Sequence, residues 1–165
     1  ALNSAMDAIR RRLPADLQIL HLTGKGKGPP PLKLLGVRER IVSELPAYVV
    51  RDFLADDMRL AYAAADLVVS RAGMGAISEL AALSKPAILV PLPDSPQLAN
   101  VRALKDAVKV VQQTKGAWWR ELEDLIVELL HNQQERRRLG QALHDKLPTD
   151  DGTALATVVM SVVQK

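Results

Sequence analysis

The sequence predicts an α/β fold, a Rossmann-like doubly wound parallel sheet with helices on both faces, and three observations carry that expectation. Between residues 48 and 111, short apolar runs alternate with helix-length amphipathic segments, the pattern of βαβ units. Ala, Leu and Val dominate while aromatic residues make up only 3%, a composition suited to parallel layers. A chain of 165 residues with 48% hydrophobic content suffices for one core, so residues 1–165 are expected to form a single domain.

Each element has its own signal. In LNSAMDAIRRRL (2–13), Leu2, Met6, Ile9 and Leu13 recur at spacings of three and four, one face of a helix. LQILHL (17–22) reads as a short buried strand, ended by GKGKGPPP, whose glycines and prolines break regular structure. A weakly amphipathic helix over 32–44 and a strand in YVVRDFL (48–54) follow, with Asp56 placed to cap a helix near 56–64. Strand DLVVS (66–70), a helix near 75–83, strand AILVP (87–91), a helix over 97–106 and strand AVKVV (107–111) continue the series, with right-handed crossovers expected. Beyond them, Trp118, Leu122, Leu125, Ile126, Leu129 and Leu130 fit one helical stripe, Leu139 and Leu143 a second, and Leu155, Val158, Val159, Val162 and Val163 a third. Each has one apolar side, which predicts packing on a sheet face. Neither an internal repeat nor an interdomain linker is visible.

Composition excludes several functions. The net charge of +3 comes from 22 basic residues interspersed with 19 acidic ones, and this balance with few aromatics argues against nucleic-acid binding. Without cysteine there is no disulfide framework and no thiolate metal site. His21 ends a strand beside Gly24, but no His/carboxylate set at metal spacing accompanies it, so no metal or other cofactor is expected. No run approaches the roughly 18 apolar residues of a membrane-spanning helix, and a signal-peptide pattern is absent, which predicts a soluble chain. GKGKG at 24–28 lacks the spacing of a phosphate loop, and neither a nucleophile elbow nor a cysteine nucleophile is present, so no catalytic residue is assigned. The basic runs Arg10–Arg12 and Arg136–Arg138 are expected to be solvated helix faces.

Chemistry concentrates in DLVVSRAGMGAISEL (66–80), where a buried strand runs through Gly73 and Gly75 into a helix. Glycines let a backbone approach an anion and a helix N-terminus offers unpaired N–H donors, so the junction suits phosphate; a simple tight turn is the alternative. Glu79 is placed to accept two ribose hydroxyls or merely to complement the helix dipole. Arg71 at the strand end faces a diphosphate or pairs with Asp52 or Glu79, and Phe53, the only phenylalanine, covers a flat base or fills the core. In PLPDSPQLAN (91–100), Gln97 and Asn100 reach sugar hydroxyls or remain polar surface positions. Ligands of doubly wound sheets bind at the strands' carboxyl ends, where these segments lie.

Taken in order, HLTGKG, RDFLADDM, ADLVVSRAGMGAISELAALSKPAILVPLP and QLANVRAL resemble the C-terminal domain of the MurG family, glycosyltransferase family 28. The 66–93 block is the most specific part, and the likeness fades beyond residue 115. It implies the C-terminal half of a two-domain GT-B glycosyltransferase that moves N-acetylglucosamine from UDP-N-acetylglucosamine to lipid-linked muramyl-pentapeptide, converting lipid I to lipid II in peptidoglycan synthesis. By motif, the resemblance places Phe53 and Leu54 at the uracil, Gly73, Met74, Gly75 and Ala76 at the diphosphate, Glu79 at the ribose and Gln97 at the N-acetylglucosamine. Asn100 and Arg71 match recurrent motif positions. The acceptor half, the general base and any peripheral contact with the cytoplasmic face of the membrane belong to the family's other domain, so this chain alone is not expected to turn over.

Two departures accompany the likeness. The family's buried strand and Gly-Gly-Ser loop ahead of the first helix have no counterpart, so a fold lacking its first, central strand is expected. DSPQ at 94–97 is several residues shorter than the family's loop, with Pro96 where a second glutamine often stands. A non-catalytic sugar-nucleotide-binding subunit of a split transferase, a related glycolipid synthase using another sugar nucleotide, and an oligomeric fragment without a competent site remain alternatives.

Overall fold

A computed structural model of the chain describes residues 1–27, 47–114, 116–148 and 153–163. The helix expected over 32–44 lies outside them. The elements are α1 (Leu2–Ile9), β1 (Gln18–Leu22), β2 (Ala47–Arg51), α2 (Met58–Ala64), β3 (Val68–Ser70), α3 (Met74–Ala82), β4 (Ala87–Leu89), α4 (Gln97–Ala103), β5 (Lys109–Val110), α5 (Trp119–His131), α6 (Gln133–Lys146) and α7 (Thr153–Val163). The alternation read from the sequence is the alternation found, with the strands shorter than their apolar runs.

All pairings are parallel, as the βαβ pattern requires, but the strands form two sheets: β1–β2, and β3–β4–β5. Among the described residues neither β1 nor β3 has a second strand partner. Burial follows the same logic. Every residue of β4 is buried, whereas every residue of β3 is only half-buried.

The core has two faces separated by β4. Ala87 and Leu89 join Ile77, Leu80, Val101, Leu104 and Leu143 on one side, while Ile88 and Val90 join Met6, Ile9, Leu122, Ile126 and Leu129 on the other. This is the strand period of two, and it puts helices on both faces as predicted. Ile19 of β1 and Val69 of β3 pack against the same α1–α5 layer, so one core supports both sheets.

Three expectations need correction. Asp57, not Asp56, precedes α2, and it makes no side-chain capping bond. The C-terminal helices do not all pack on a sheet: α5 lies against β4, α6 packs mainly on α3, and Val159, Met160 and Val162 of α7 are exposed. The basic runs are not simply solvated. Arg10 lies 4.7 Å over the Tyr48 ring, Arg12 donates to Glu123 at 2.9 Å, and Arg136 donates to the carbonyls of Leu129 and Leu130. Long basic side chains gain here by covering apolar surface and satisfying helix-end carbonyls.

Arg138 forks onto Glu135 at 2.7 and 2.8 Å, and Asn132 accepts the Glu135 amide at 3.0 Å to cap α6. The Arg138 hydrogen bond, reinforced by Lys109, lowers the Glu135 pKa to about 2. Folded Glu135 therefore stays ionised where the unfolded chain takes up a proton, so its contribution is present above pH 4.5 and fades as pH falls toward 2. An acid titration of stability with Glu135→Gln, expected to be flatter than wild type in that window, checks this.

Candidate functional site

Gly73 ends the β3–α3 turn in extended geometry (φ −75°, ψ 140°) and precedes α3 with no side-chain cap. The first α3 turn closes with Ile77 N–H to Gly73 O at 3.1 Å, so the amides of Met74, Gly75 and Ala76 precede the helix's own ladder. No acidic side chain occupies that turn to offset the positive end of the dipole. A Cβ built on Gly73 or Gly75 would meet no atom within 4 Å, and neither glycine has a positive φ. Packing and backbone geometry thus leave both positions open to a side chain. Gly75→Ala is accordingly expected to stabilise the chain by about 0.5–1 kcal/mol through helix propensity, read as a raised melting temperature.

Gln97 and Asn100 hold this turn from the next strand end. Gln97 Oε1 accepts from the Ala72 amide at 3.2 Å and the Leu92 amide at 3.0 Å, and Asn100 Nδ2 donates to the Ala72 carbonyl at 2.8 Å. Both polar groups of Ala72 are clamped by α4, and the Gln97 Oε1 is committed to backbone amides. The left-handed Asp94 (φ 52°) and the Ser95 Oγ bond to Leu92 O at 2.7 Å shape the short loop that delivers Gln97.

Arg71 pairs with neither Asp52 nor Glu79: its Nη1 donates to Val90 O at 3.0 Å, and burial lowers its pKa. Glu79 is exposed on α3 and shares a cavity of about 270 Å³ with Met58, Arg59 and Tyr62 of α2. Burial, then the neighbouring Glu79 carboxylate, raise the Tyr62 phenol to about 12. Phe53 is 62% exposed, which removes the core alternative, with Lys25 6.0 Å over its ring. Leu54 beside it is half-buried. The structure therefore joins Gln97 and Asn100 to the Gly73 turn and Glu79 to Tyr62, while Phe53 stands with the 23–27 turn after β1. A larger concavity, about 600 Å³, is lined by α4, β5 and α6 and contains none of these residues.

The family model for the glycosyltransferase family 28 C-terminal domain matches residues 1–147. The chain belongs to this family. It is 33% identical to the Bacteroides fragilis UDP-N-acetylglucosamine--N-acetylmuramyl-(pentapeptide) pyrophosphoryl-undecaprenol N-acetylglucosamine transferase, over 98% of this chain and 42% of that protein. The Nocardioides sp. protein of the same name is 34% identical over 98% of this chain and 43% of its own length. The crystal structure of Acinetobacter baumannii MurG superposes with a TM-score of 0.78 at 25% identity, covering 97% of this chain and 45% of that one. The chain thus spans less than half the length of these relatives.

Within the family 28 domain, sequence reasoning missed the residues that support the site. Tyr62 meets Glu79 only through the α2–α3 packing, and Asn3 meets the 23–27 turn across 20 residues of sequence. No local motif announces either partnership.

Proposed function

We propose that this chain is the donor-binding half of a UDP-N-acetylglucosamine-dependent glycosyltransferase acting on a lipid-linked N-acetylmuramyl-pentapeptide acceptor, the lipid I to lipid II step. One observation carries the reading: the open space over Gly73 and Gly75 in front of three amides at the start of α3. A diphosphate fits that space, since its charge meets N–H donors and an uncompensated helix dipole. Glu79, with Tyr62 behind it, accepts the ribose hydroxyls; Phe53 and Leu54 meet the uracil; Gln97 Nε2 reaches the N-acetylglucosamine. Arg71 and Asn100 act through the turn.

In the reaction an acceptor hydroxyl attacks the anomeric carbon. The new carbon–oxygen bond forms as the bond to the diphosphate breaks, UDP departs with the electron pair, and the hydroxyl proton passes to a base outside this chain. The role left to α3 is electrostatic: amides already oriented toward the departing diphosphate stabilise charge as it develops. The acceptor half supplies the lipid site and the contact with the inner face of the membrane.

Calorimetric titration of UDP, UDP-N-acetylglucosamine and UDP-galactose tests this. Saturable binding with N-acetylglucosamine preferred supports it. Preference for galactose moves the reading to a glycolipid synthase, and absence of binding at millimolar ligand sinks it.

A further inference from the structure

A second network sits beside the proposed donor site and has no part in its chemistry. His21 and Thr23 are the buried polar residues of the described core, at 8% and 6% exposure. Asn3, in the first turn of α1, donates from Nδ2 to the carbonyls of Thr23 at 3.1 Å and Lys27 at 3.2 Å. Its Oδ1 lies 3.1 Å from His21 Nε2, and His21 Nδ1 meets the Tyr48 hydroxyl. These partners determine every proton. A flipped Asn3 amide would set its oxygen against two carbonyl oxygens, so Oδ1 faces the ring, Nε2 carries the hydrogen, and Nδ1 accepts from Tyr48.

The turn held this way is intrinsically soft, with Gly24 at φ 84° and Gly26 at φ 67°. It is also tied to the end of β2 by the Thr23 amide to Arg51 O at 3.0 Å, the Gly24 amide to Asp52 O at 2.9 Å and Thr23 Oγ1 to Asp52 Oδ1 at 3.3 Å, and closed on itself by the Lys27 amide to Gly24 O at 3.0 Å. It carries Lys25 to one face of the Phe53 ring, which leaves the opposite face for a flat base.

We infer that His21 is a positioning residue of the donor site: through Asn3 it ties the start of α1 to the 23–27 turn and so sets Lys25 and Phe53 before a uracil arrives. This rests on the donor-site reading above. A turn that is ordered in advance spares the ligand that ordering, which raises apparent affinity without touching the ligand. Burial lowers the His21 pKa, with Asp7 opposing and Arg10 assisting, so the ring is neutral at neutral pH, as the network requires.

Ring nitrogen chemical shifts and UDP affinities of wild type, His21→Gln, His21→Asn and Asn3→Asp test the inference. The amide nitrogen of glutamine stands near Nε2 and retains the bond to Asn3; that of asparagine stands near Nδ1 and does not. The expected results are an Nε2–H tautomer, affinity within about twofold of wild type for His21→Gln, and a loss of roughly five- to tenfold for His21→Asn and Asn3→Asp, the weight of one or two hydrogen bonds. Shifts of the Lys25 and Gly26 amides should accompany the loss. Asn3→Asp keeps the test alive should His21→Asn not fold. An Nδ1–H tautomer, or equal affinities for the glutamine and asparagine variants, overturns the inference alone. A wild-type chain that binds no UDP removes the donor-site reading and this inference with it.

Discussion

Replacing Gly140 with alanine is expected to destabilise the chain by about 3 kcal/mol, the upper range for overpacking a rigid contact. Gly140 is where α6 rests on the turn between α3 and β4. A Cβ there would stand 2.1 Å from Ser84 O and 2.9 Å from Ser84 C, both backbone atoms that no rotamer change can move aside. The turn itself has little freedom, because Ser84 is already in the left-handed region at φ 48°. Alanine's better helix propensity returns only about 1 kcal/mol. Leu139 and Leu143 flank Gly140 and feed the two core faces, so displacing α6 loosens both. Urea unfolding of wild type and variant reads the effect directly; an unchanged midpoint would mean that α6 does not approach Ser84 this closely.

Removing the Glu79 carboxylate is expected to weaken UDP binding by roughly 10- to 100-fold, the range for charge-assisted hydrogen bonds to two hydroxyls. Glu79 is exposed, so Glu79→Ala should leave the fold intact while releasing Tyr62, whose pKa should fall from about 12 once the carboxylate is gone. Comparing UDP with 2′,3′-dideoxy-UDP isolates the contact. The analogue should bind wild type as weakly as UDP binds the variant, and lose nothing further in the variant. A variant that binds UDP as wild type does would contradict the ribose role of Glu79.

The strands and helices were legible because short continuous apolar runs alternate with segments of three-to-four periodicity, and β4 shows why such a run is a strand: both its faces are buried, Ala87 and Leu89 against one layer, Ile88 and Val90 against the other. The division into two sheets was less so. Pairing is a long-range property, and nothing within LQILHL or DLVVS itself says that each strand has one neighbour among the described residues. Phe53 and the Gly73 turn could be read as candidates because strand-end position and residue type are local signals. The real duty of Gln97 Oε1, spent on the Ala72 and Leu92 amides, was hidden, since a glutamine's choice between ligand and backbone depends on a turn 25 residues away. Arg136 and Arg138 misled for the opposite reason: a charge run looks solvated until the helix-end carbonyls and Glu135 beside it are placed.

The central claim is that the start of α3 receives a nucleotide diphosphate. Titrating UDP into the isotopically labelled chain and following backbone amides tests it most directly. Saturable shifts at Met74, Gly75 and Ala76, with Phe53 and Leu54 moving at the same ligand concentration, are the predicted result. A well-dispersed spectrum in which those amides stay still at millimolar UDP would contradict the account.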